Sequence, residues 1–343
     1  MTYASTVAGA DPADIKRLGN GFCHAKLLLT ASELGLFASL ADTGPATGPQ
    51  IQERLGLHPR GCRDFLSALV LLGLLTRDGD RYSNSAVASE HLVPGGTTYL
   101  GGFLERSSRV LYPAWGSLGD ALRTGLPQVP AAQSDAFERM LKDPRQLGQY
   151  LGMMDSVNGL LAPELARAFD WSGRHTVVDV GGARGNLAAQ LIIAHPHLSA
   201  WVFDLPVMEA PLREHVTSLV GPDRVRFRGG DFFSDPLPEG DVLILGHVLH
   251  NWSPEERQLL VKKAYAATRP GGALLVYDAM LEDDPADIAR VLVSLNMLLV
   301  TPNGSEYPVS ECRGWLAGAG FEAIGDCALG PADTLVIGHK GPE

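Results

Sequence analysis

The stretch HTVVDVGGARGN at residues 175–186 decides the fold. It begins as an apolar run rich in β-branched residues, continues into a glycine-rich turn, and leads into a helical pattern. Apolar runs of the same kind recur between helical stretches at 199–204, 224–227, 241–245, 272–277, 321–324 and 334–338. This alternation predicts an α/β domain whose mostly parallel, seven-stranded sheet is covered by helices on both faces.

Ligands on such a sheet bind at the carboxyl ends of the strands. The turn after the first run, Asp179-Val-Gly181-Gly182, lets the backbone approach a ligand closely at a helix N-terminus. Asp204 ends the next run, where a carboxylate can accept hydrogen bonds from both hydroxyls of a ribose. The glycines do not form the GxGxxG pattern of dinucleotide-binding dehydrogenases, so we expect an adenosine-containing ligand of another class.

Composition excludes several functional classes. The chain has 343 residues and a formal net charge of −11, which disfavours binding nucleic acid by charge. No apolar run reaches the roughly 18 residues of a membrane span, and residues 1–14 lack a signal-peptide pattern. The four cysteines, Cys23, Cys62, Cys312 and Cys327, show neither CxxC nor zinc-site spacing. We therefore predict a cytoplasmic protein with reduced thiols.

The N-terminal part has the order of a winged helix. Helical patterns at 14–41, 50–55 and 60–73 precede a hairpin at 74–82, which Asp78-Gly79 indicates. In a DNA-binding winged helix, residues 60–63 would begin the recognition helix. Residues 65–72 are apolar on nearly all sides, so we expect this helix to be buried in a dimerisation module. The predicted parts are a dimerisation domain at 1–100, pocket-forming helices at 101–170 and a catalytic domain at 171–343.

Four motifs together resemble one known family: DVGG at 179–182, FDLP at 203–206, GDFF at 230–233 and LHNW at 249–252. The chain resembles the class I S-adenosylmethionine-dependent small-molecule O-methyltransferases, of the caffeic-acid type and its bacterial natural-product branch. The resemblance covers most of the chain. It implies a Rossmann-like catalytic domain and a winged-helix domain that forms an interlocked homodimer. The family usually has a third consecutive glycine where this chain has Ala183.

The resemblance implies S-adenosylmethionine as the cofactor and a small aromatic metabolite as the substrate. Methyl transfer to a phenol needs the phenolate, and histidine is the side chain best able to accept a proton near pH 7. By resemblance, His250 is the general base, and Asp278 and Glu306 orient it. The expected cofactor-binding residues are Asp179, Gly181, Gly182, Asp204, Leu205, Gly230, Asp231, Phe232 and His247. The expected substrate residues are Met153, Met154, Asn251, Asn296 and Met297.

Two alternatives stay open at the level of sequence. In the first, the acceptor is carbon on an aromatic ring or an α-keto acid, and His247, His250 and Asp278 hold a metal ion. The runs SLNM at 294–297 and TPNG at 301–304 resemble such enzymes. In the second, the chain is a non-catalytic winged-helix regulator that binds a metabolite. That function needs a basic recognition helix, which residues 65–72 do not provide. Our prediction is O-methylation with no metal, no nucleic acid and no membrane.

Overall fold

A computed structural model of the chain describes residues 11–96, 98–129 and 141–342. It divides into two compact units between Pro113 and Ala114. The first unit contains helices α1 (Pro12–Gly19), α2 (Gly21–Glu33), α3 (Leu36–Thr43), α4 (Gly48–Leu55), α5 (Pro59–Leu71), α6 (Ala86–His91) and α7 (Gly101–Arg106). Its antiparallel sheet has the order β1-β3-β2, formed by β1 (Ala46–Thr47), β2 (Leu75–Asp78) and β3 (Arg81–Asn84).

The prediction of one helix over 14–41 is wrong, because the chain bends twice there. Asn20 separates α1 from α2, and Gly35 separates α2 from α3. Gly35 has a φ of +68°, a left-handed conformation that glycine adopts without strain. The predicted hairpin is present, with its tight turn at Gly79-Asp80 rather than Asp78-Gly79. The helices and hairpin thus follow in the order expected of a winged helix.

Within a single chain, helix α5 is buried on one face, and its burial in a dimer stays a prediction. Cys62, Leu66 and Leu69 lie in the core of the N-terminal unit, whereas Leu71 is 89% exposed. Helix α5 therefore carries more apolar side chains than the core of the N-terminal unit buries. No helix in the described part of the chain combines the length and apolar character needed to cross a bilayer.

The second unit is built on a seven-stranded sheet of order β6-β5-β4-β7-β8-β10-β9. Its strands are β4 (Thr176–Val180), β5 (Ser199–Asp204), β6 (Val225–Gly229), β7 (Gly240–Gly246), β8 (Thr268–Asp278), β9 (Glu322–Leu329) and β10 (Asp333–His339). Beyond α8 (Tyr112–Trp115), its helices are α9 (Leu118–Thr124), α10 (Pro144–Ala168), α11 (Asn186–Ala194), α12 (Glu209–Val220), α13 (Pro254–Ala267), α14 (Ile288–Val300) and α15 (Val309–Ala319). The predicted α/β class is confirmed.

The centre of this sheet is buried on both faces. Four consecutive residues of β7, at 242–245, and four of β8, at 273–276, are inaccessible to solvent. Continuous burial of this kind requires helices on both sides, and it explains why the strands appear in the sequence as unbroken apolar runs. Two hydrophobic clusters, one on each face, hold these helices against the sheet.

The direction of the strands brings the site together. Strands β4, β5, β6, β7 and β8 are parallel, so their carboxyl ends share one edge. Strand β10 runs antiparallel to β8 and starts at that same edge, where Thr334 pairs with Asp278. The loops after five strands and the first residue of a sixth therefore meet in one place.

Candidate active site

The glycine-rich turn after β4 has an unusual backbone. Gly181, Ala183 and Gly185 have φ values of +76°, +50° and +76°. A Cβ atom on Gly181 would come within 2.9 Å of Val248, and one on Gly182 would collide with the carboxylate of Asp179. The turn therefore lies directly against the loop that follows β7. A left-handed residue 183 also explains why glycine is the usual choice there.

Two carboxylates lie beside this turn. Asp179 is 3% exposed, and its Oδ2 has no hydrogen-bond partner among the residues that the structure describes. Burial, together with the charge of Asp204, raises the pKa of Asp179 to about 7. Asp204 accepts hydrogen bonds from the backbone N–H groups of Ala183 and Leu205, each at 2.7 Å. Burial raises the pKa of Asp204 to about 6, against the effect of these two bonds.

An unsatisfied buried oxygen at a strand end implies a ligand that donates hydrogen bonds or carries positive charge. S-adenosylmethionine has both ribose hydroxyls and an ammonium group, so the residues present fit it. The guanidinium of Arg184 is engaged elsewhere, since its Nε donates to Asp155 of α10 at 2.7 Å. The site is thus better suited to such a cofactor than to a phosphate.

The loop after β6 supplies an aromatic wall. Its Gly230 leaves no room for a side chain, because a Cβ atom would come within 2.7 Å of Phe203. Phe232 packs edge-on against Trp252, with centroids 5.7 Å apart, and lies against Gly181. Asp231 is exposed and accepts a hydrogen bond from the backbone of Phe233 at 2.9 Å. Phe232 thus reaches the glycine-rich turn, while Asp231 also shapes its own loop.

His250 sits at the centre of a buried cluster of acids. It lies in a short 3-10 turn, Leu249–Asn251, after β7 and is 9% exposed. Its Nδ1 is 2.6 Å from Oε1 of Glu306 and 3.3 Å from Oδ1 of Asp278. Glu306 is 5% exposed, and Tyr307 donates a hydrogen bond to Asp278 Oδ2 at 2.6 Å. The structure therefore brings together all three residues predicted to be catalytic.

The electrostatics of His250 follow from this geometry. Burial of the imidazole opposes protonation, but the charges of Asp278 and Glu306 outweigh burial and raise the pKa of His250 to about 9. Burial also raises the pKa of Asp278, although the positive charge of His250 works against it. Since both carboxylates lie at Nδ1, this nitrogen carries the proton. The second ring nitrogen, Nε2, is the one that can exchange a proton with a substrate.

His247 forms a second, separate histidine–acid pair. Its Nε2 is 3.1 Å from Oδ1 of Asp333, the first residue of β10. Burial lowers the pKa of His247, but Asp333 reverses the sign, so that the pKa is raised. Its ring stacks on His250 with centroids 5.6 Å apart. His247 thus lies beside the proposed base, but with its own carboxylate. Within the described ranges, no three His, Cys, Asp or Glu side chains gather closely enough to hold a metal ion.

The predicted substrate residues are placed less directly. Asn296 on α14 accepts a hydrogen bond from Trp115 Nε1 at 2.8 Å. Asn251 donates to the backbone oxygen of His247 at 3.0 Å. Helix α14 reaches the base through Ser294, whose Oγ accepts from the backbone N–H of Glu306 at 3.2 Å. The three predicted methionines are half-buried on α10 and α14: Met153, Met154 and Met297.

Sequence reasoning missed three residues that complete the cluster: Asp333, Tyr307 and Arg257. Asp333 is 86 positions from its partner His247, so no local pattern connects them. Arg257 is buried on α13 among residues that form an ordinary amphipathic helix. Tyr307 had a weak signal, because it follows Glu306 directly. Long-range contacts of this kind are not visible in a single sequence.

Fold and site fit an S-adenosylmethionine-dependent methyltransferase, and comparison with known proteins shows this class. A profile of the O-methyltransferase domain matches residues 115–322, and a profile of the O-methyltransferase dimerisation domain matches residues 17–94. The chain belongs to this O-methyltransferase family, which confirms the resemblance and the prediction of an enzyme.

Three relatives illustrate the range of the family. The chain is 48% identical to the tetracenomycin polyketide synthesis 8-O-methyl transferase of Streptomyces glaucescens, over 99% of both chains. It is 41% identical to an N,N-dimethyltransferase of Streptomyces rimosus, over 94% of both. Human N-acetylserotonin methyltransferase, solved in complex with S-adenosylmethionine, superposes with a TM-score of 0.88 at 30% identity, covering 97% of this chain and 99% of that one.

Proposed function

We propose that this enzyme methylates a phenolic hydroxyl of a small aromatic metabolite of the polyketide type, with His250 as the general base. The observation that carries the proposal is the buried His250–Glu306 pair, in which the carboxylate lies at Nδ1 and proton exchange with the substrate falls to Nε2. A pKa of about 9 lies close to that of a phenol, about 10. Transfer of the proton from a phenol to His250 is therefore nearly balanced in free energy.

The residues around His250 have distinct tasks in this proposal. Glu306 holds the Nδ1 proton and fixes the tautomer. Asp278 adds negative charge at the same nitrogen and is itself held by Tyr307. Together they stabilise the imidazolium that forms when His250 takes the phenolic proton. Because the two carboxylates raise the pKa of His250, the protonated imidazole is the major form at pH 7 and the basic form is the minor one.

S-adenosylmethionine, when bound, supplies the activated methyl group. Asp204 is proposed to accept hydrogen bonds from the ribose, and Asp179 to accept a hydrogen bond from the bound cofactor at Oδ2, which has no partner among the described residues. The glycine-rich turn provides close backbone approach, and Phe232 provides an apolar wall. Leu205, Gly230, Asp231 and His247 complete the proposed cofactor site.

The acceptor pocket is proposed to be lined by soft and amide side chains, since these pack against flat rings and fix their polar groups. The polyketide acceptor named for the relative that is 48% identical supports this substrate class. The proposed lining residues are Met153, Met154, Asn251, Asn296 and Met297.

We also propose that the enzyme is a homodimer and works in the cytoplasm. The family dimerisation domain at residues 17–94 supports the dimer. So do the large apolar side chains that the N-terminal unit leaves exposed, Ile15, Leu18, Phe22 and Leu71. All four cysteines are free thiols, as expected in a reducing compartment.

A second candidate is methyl transfer to nitrogen, which the relative named as an N,N-dimethyltransferase favours. The two candidate reactions differ in whether the acceptor must lose a proton before it can attack the methyl group. A phenol must lose a proton to become nucleophilic, whereas an aromatic amine already has a lone pair. The His250–Glu306 pair is therefore needed for the first and less so for the second.

A matched acceptor panel tests the proposal. The full-length enzyme and S-adenosylmethionine are incubated with 1-naphthol, 3-hydroxy-1-naphthoate, 1-naphthylamine and phenylpyruvate, with and without EDTA. Mass spectrometry and NMR then locate the added methyl group. We expect O-methylation of the hydroxyl acceptors, unaffected by EDTA. Preferential N-methylation, or C-methylation that EDTA abolishes and a divalent metal restores, would contradict the proposal.

A further inference from the structure

Arg257 is a buried cation that donates three hydrogen bonds to two loops. It lies on α13 and is 2% exposed. Its Nε donates to the backbone oxygen of Leu249 at 3.0 Å. Its Nη2 donates to the backbone oxygen and the Oγ of Ser305, at 2.7 and 3.0 Å. A buried charge is retained at a cost in solvation, so its position calls for a specific reason.

These partners are the immediate neighbours of the proposed catalytic groups. Leu249 precedes His250, and Ser305 precedes Glu306. The guanidinium also lies over the ring of Tyr307, 4.7 Å from its centroid, and Tyr307 is the residue that holds Asp278. Arg257 therefore contacts Leu249 beside His250 and Ser305 beside Glu306. It also contacts Tyr307, which donates a hydrogen bond to Asp278.

The two loops that Arg257 connects also contact each other closely. The backbone N–H of Ser305 donates to the backbone oxygen of His250 at 2.9 Å. A Cβ atom at Gly304 would come within 2.5 Å of that same oxygen. The 2.6 Å distance between His250 and Glu306 thus depends on how tightly these loops pack.

We propose that Arg257 is a positioning residue for catalysis: its planar guanidinium fastens the 3-10 turn of His250 to the loop of Glu306 and sets the distance between base and acid. This inference rests on the proposed role of His250. A lysine cannot replace Arg257 in this role. Its single ammonium group lacks the planar fork of donors that reaches two carbonyl oxygens, and it cannot cover the ring of Tyr307 at the same time.

The positive charge of Arg257 lowers the pKa of His250, whereas the loop geometry that Arg257 maintains raises it. A nearby cation disfavours a second one, so removing only the charge would raise the pKa of His250. Loosening the loops moves the carboxylates away and lowers that pKa. The lysine variant keeps the charge and loses the fork, so it isolates the geometric effect. The titratable and charged groups that face His250 are His247, Asp278, Glu306, Asp333 and, through the loops, Arg257.

The test compares Arg257→Lys and Arg257→Gln with Arg313→Gln, at an exposed arginine of α15, as the matched control. The pKa of His250 is measured by NMR on the cofactor-free full chain, with its resonance assigned from His250→Gln. Arg257→Lys should lower this pKa by about one unit, the size expected when a charged hydrogen bond is weakened. Above the wild-type pKa of His250, where the imidazole is neutral in both enzymes, it should reduce kcat on 3-hydroxy-1-naphthoate about tenfold or more, with S-adenosylmethionine affinity and acceptor KM within about twofold of wild type. Arg313→Gln should change none of these.

An unmoved or raised pKa in Arg257→Lys overturns the inference, whatever happens to thermal stability. If the arginine variants do not fold, Ser305→Ala takes their place, because it removes one acceptor of Arg257 and keeps the backbone contact. It should shift the pKa in the same direction by a smaller amount, and an unmoved pKa again overturns the inference. The NMR titration needs no methyl acceptor, so its result does not depend on whether His250 is the general base. The inference about Arg257 can therefore fail separately from the proposed function.

Discussion

Replacing Glu306 by glutamine tests the electrostatic origin of the base. The amide of glutamine keeps an oxygen that can accept a hydrogen bond from Nδ1–H of His250, while the negative charge is lost. Glu306 is buried and lies 2.6 Å from the imidazole, so solvent screens its charge little. The substitution therefore removes the charge with little change of shape.

The size of the effect follows from this contact. A hydrogen bond to a charged group contributes about 1.5–3 kcal/mol, and each pKa unit corresponds to about 1.4 kcal/mol. Removing the charge should lower the pKa of His250 by about 1–2 units, from about 9 towards 7–8. Asp278, 3.3 Å away, keeps the pKa from falling further.

The assay is the pH dependence of kcat/KM for a phenolic acceptor. The neutral imidazole is the base, so the rate should rise with pH and level off once the pH passes the pKa of His250. In Glu306→Gln the plateau should begin about 1–2 pH units lower than in the wild type, and its height should fall because the base is weaker. Glu311→Gln, at an exposed glutamate five residues further on, is the control. A profile in Glu306→Gln that levels off at the wild-type pH would refute the assignment of Glu306.

Three further predictions concern the cofactor site and the assembly. Asp204→Ala should weaken S-adenosylmethionine binding by about 1.5–3 kcal/mol, and unchanged affinity by calorimetry in a folded variant would remove Asp204 from the site. Ala183→Gly should raise the melting temperature by about 1–2 °C and keep cofactor binding, because the left-handed conformation at φ +50° costs alanine about 1 kcal/mol; a lower melting temperature would show that residue 183 is not strained. Light scattering should find the full chain dimeric at micromolar concentration, and a monomer there would contradict the proposed assembly.

The catalytic sheet was predictable from the sequence because its central strands are buried on both faces. Such strands form unbroken apolar runs, and β5 begins and ends where the sequence indicates. The edge strand β9 was found only in part, since the prediction covered 321–324 and the strand is Glu322–Leu329. Most of β9 is exposed, so its sequence does not alternate between polar and apolar residues.

The N-terminal helices were harder to predict because helical periodicity continues across the breaks. Gly35 ends α2 through a left-handed turn, yet its neighbours keep the apolar spacing of a helix. A single glycine inside a helical pattern is often tolerated, so the pattern alone favoured a continuous helix.

The site was predictable where chemistry and motif coincide, as at His250. Its surroundings were not, because they depend on tertiary contacts. A glutamate in a loop with proline, asparagine and glycine is usually solvated, yet Glu306 is buried by the packing of Gly304 on the His250 turn. Arg257 follows two glutamates on α13, a pattern typical of a solvated helix face, and only the fold shows that it is buried.

The central claim is that His250 removes the proton from the acceptor hydroxyl. The most direct test is single-turnover methylation of 3-hydroxy-1-naphthoate by His250→Gln, with S-adenosylmethionine binding measured on the same preparation. We predict unchanged cofactor affinity and a methyl-transfer rate lower by about 10²–10⁴-fold at pH 7, partly restored at high pH, where the phenol ionises unaided. A variant that binds the cofactor and transfers the methyl group at the wild-type rate would contradict the account.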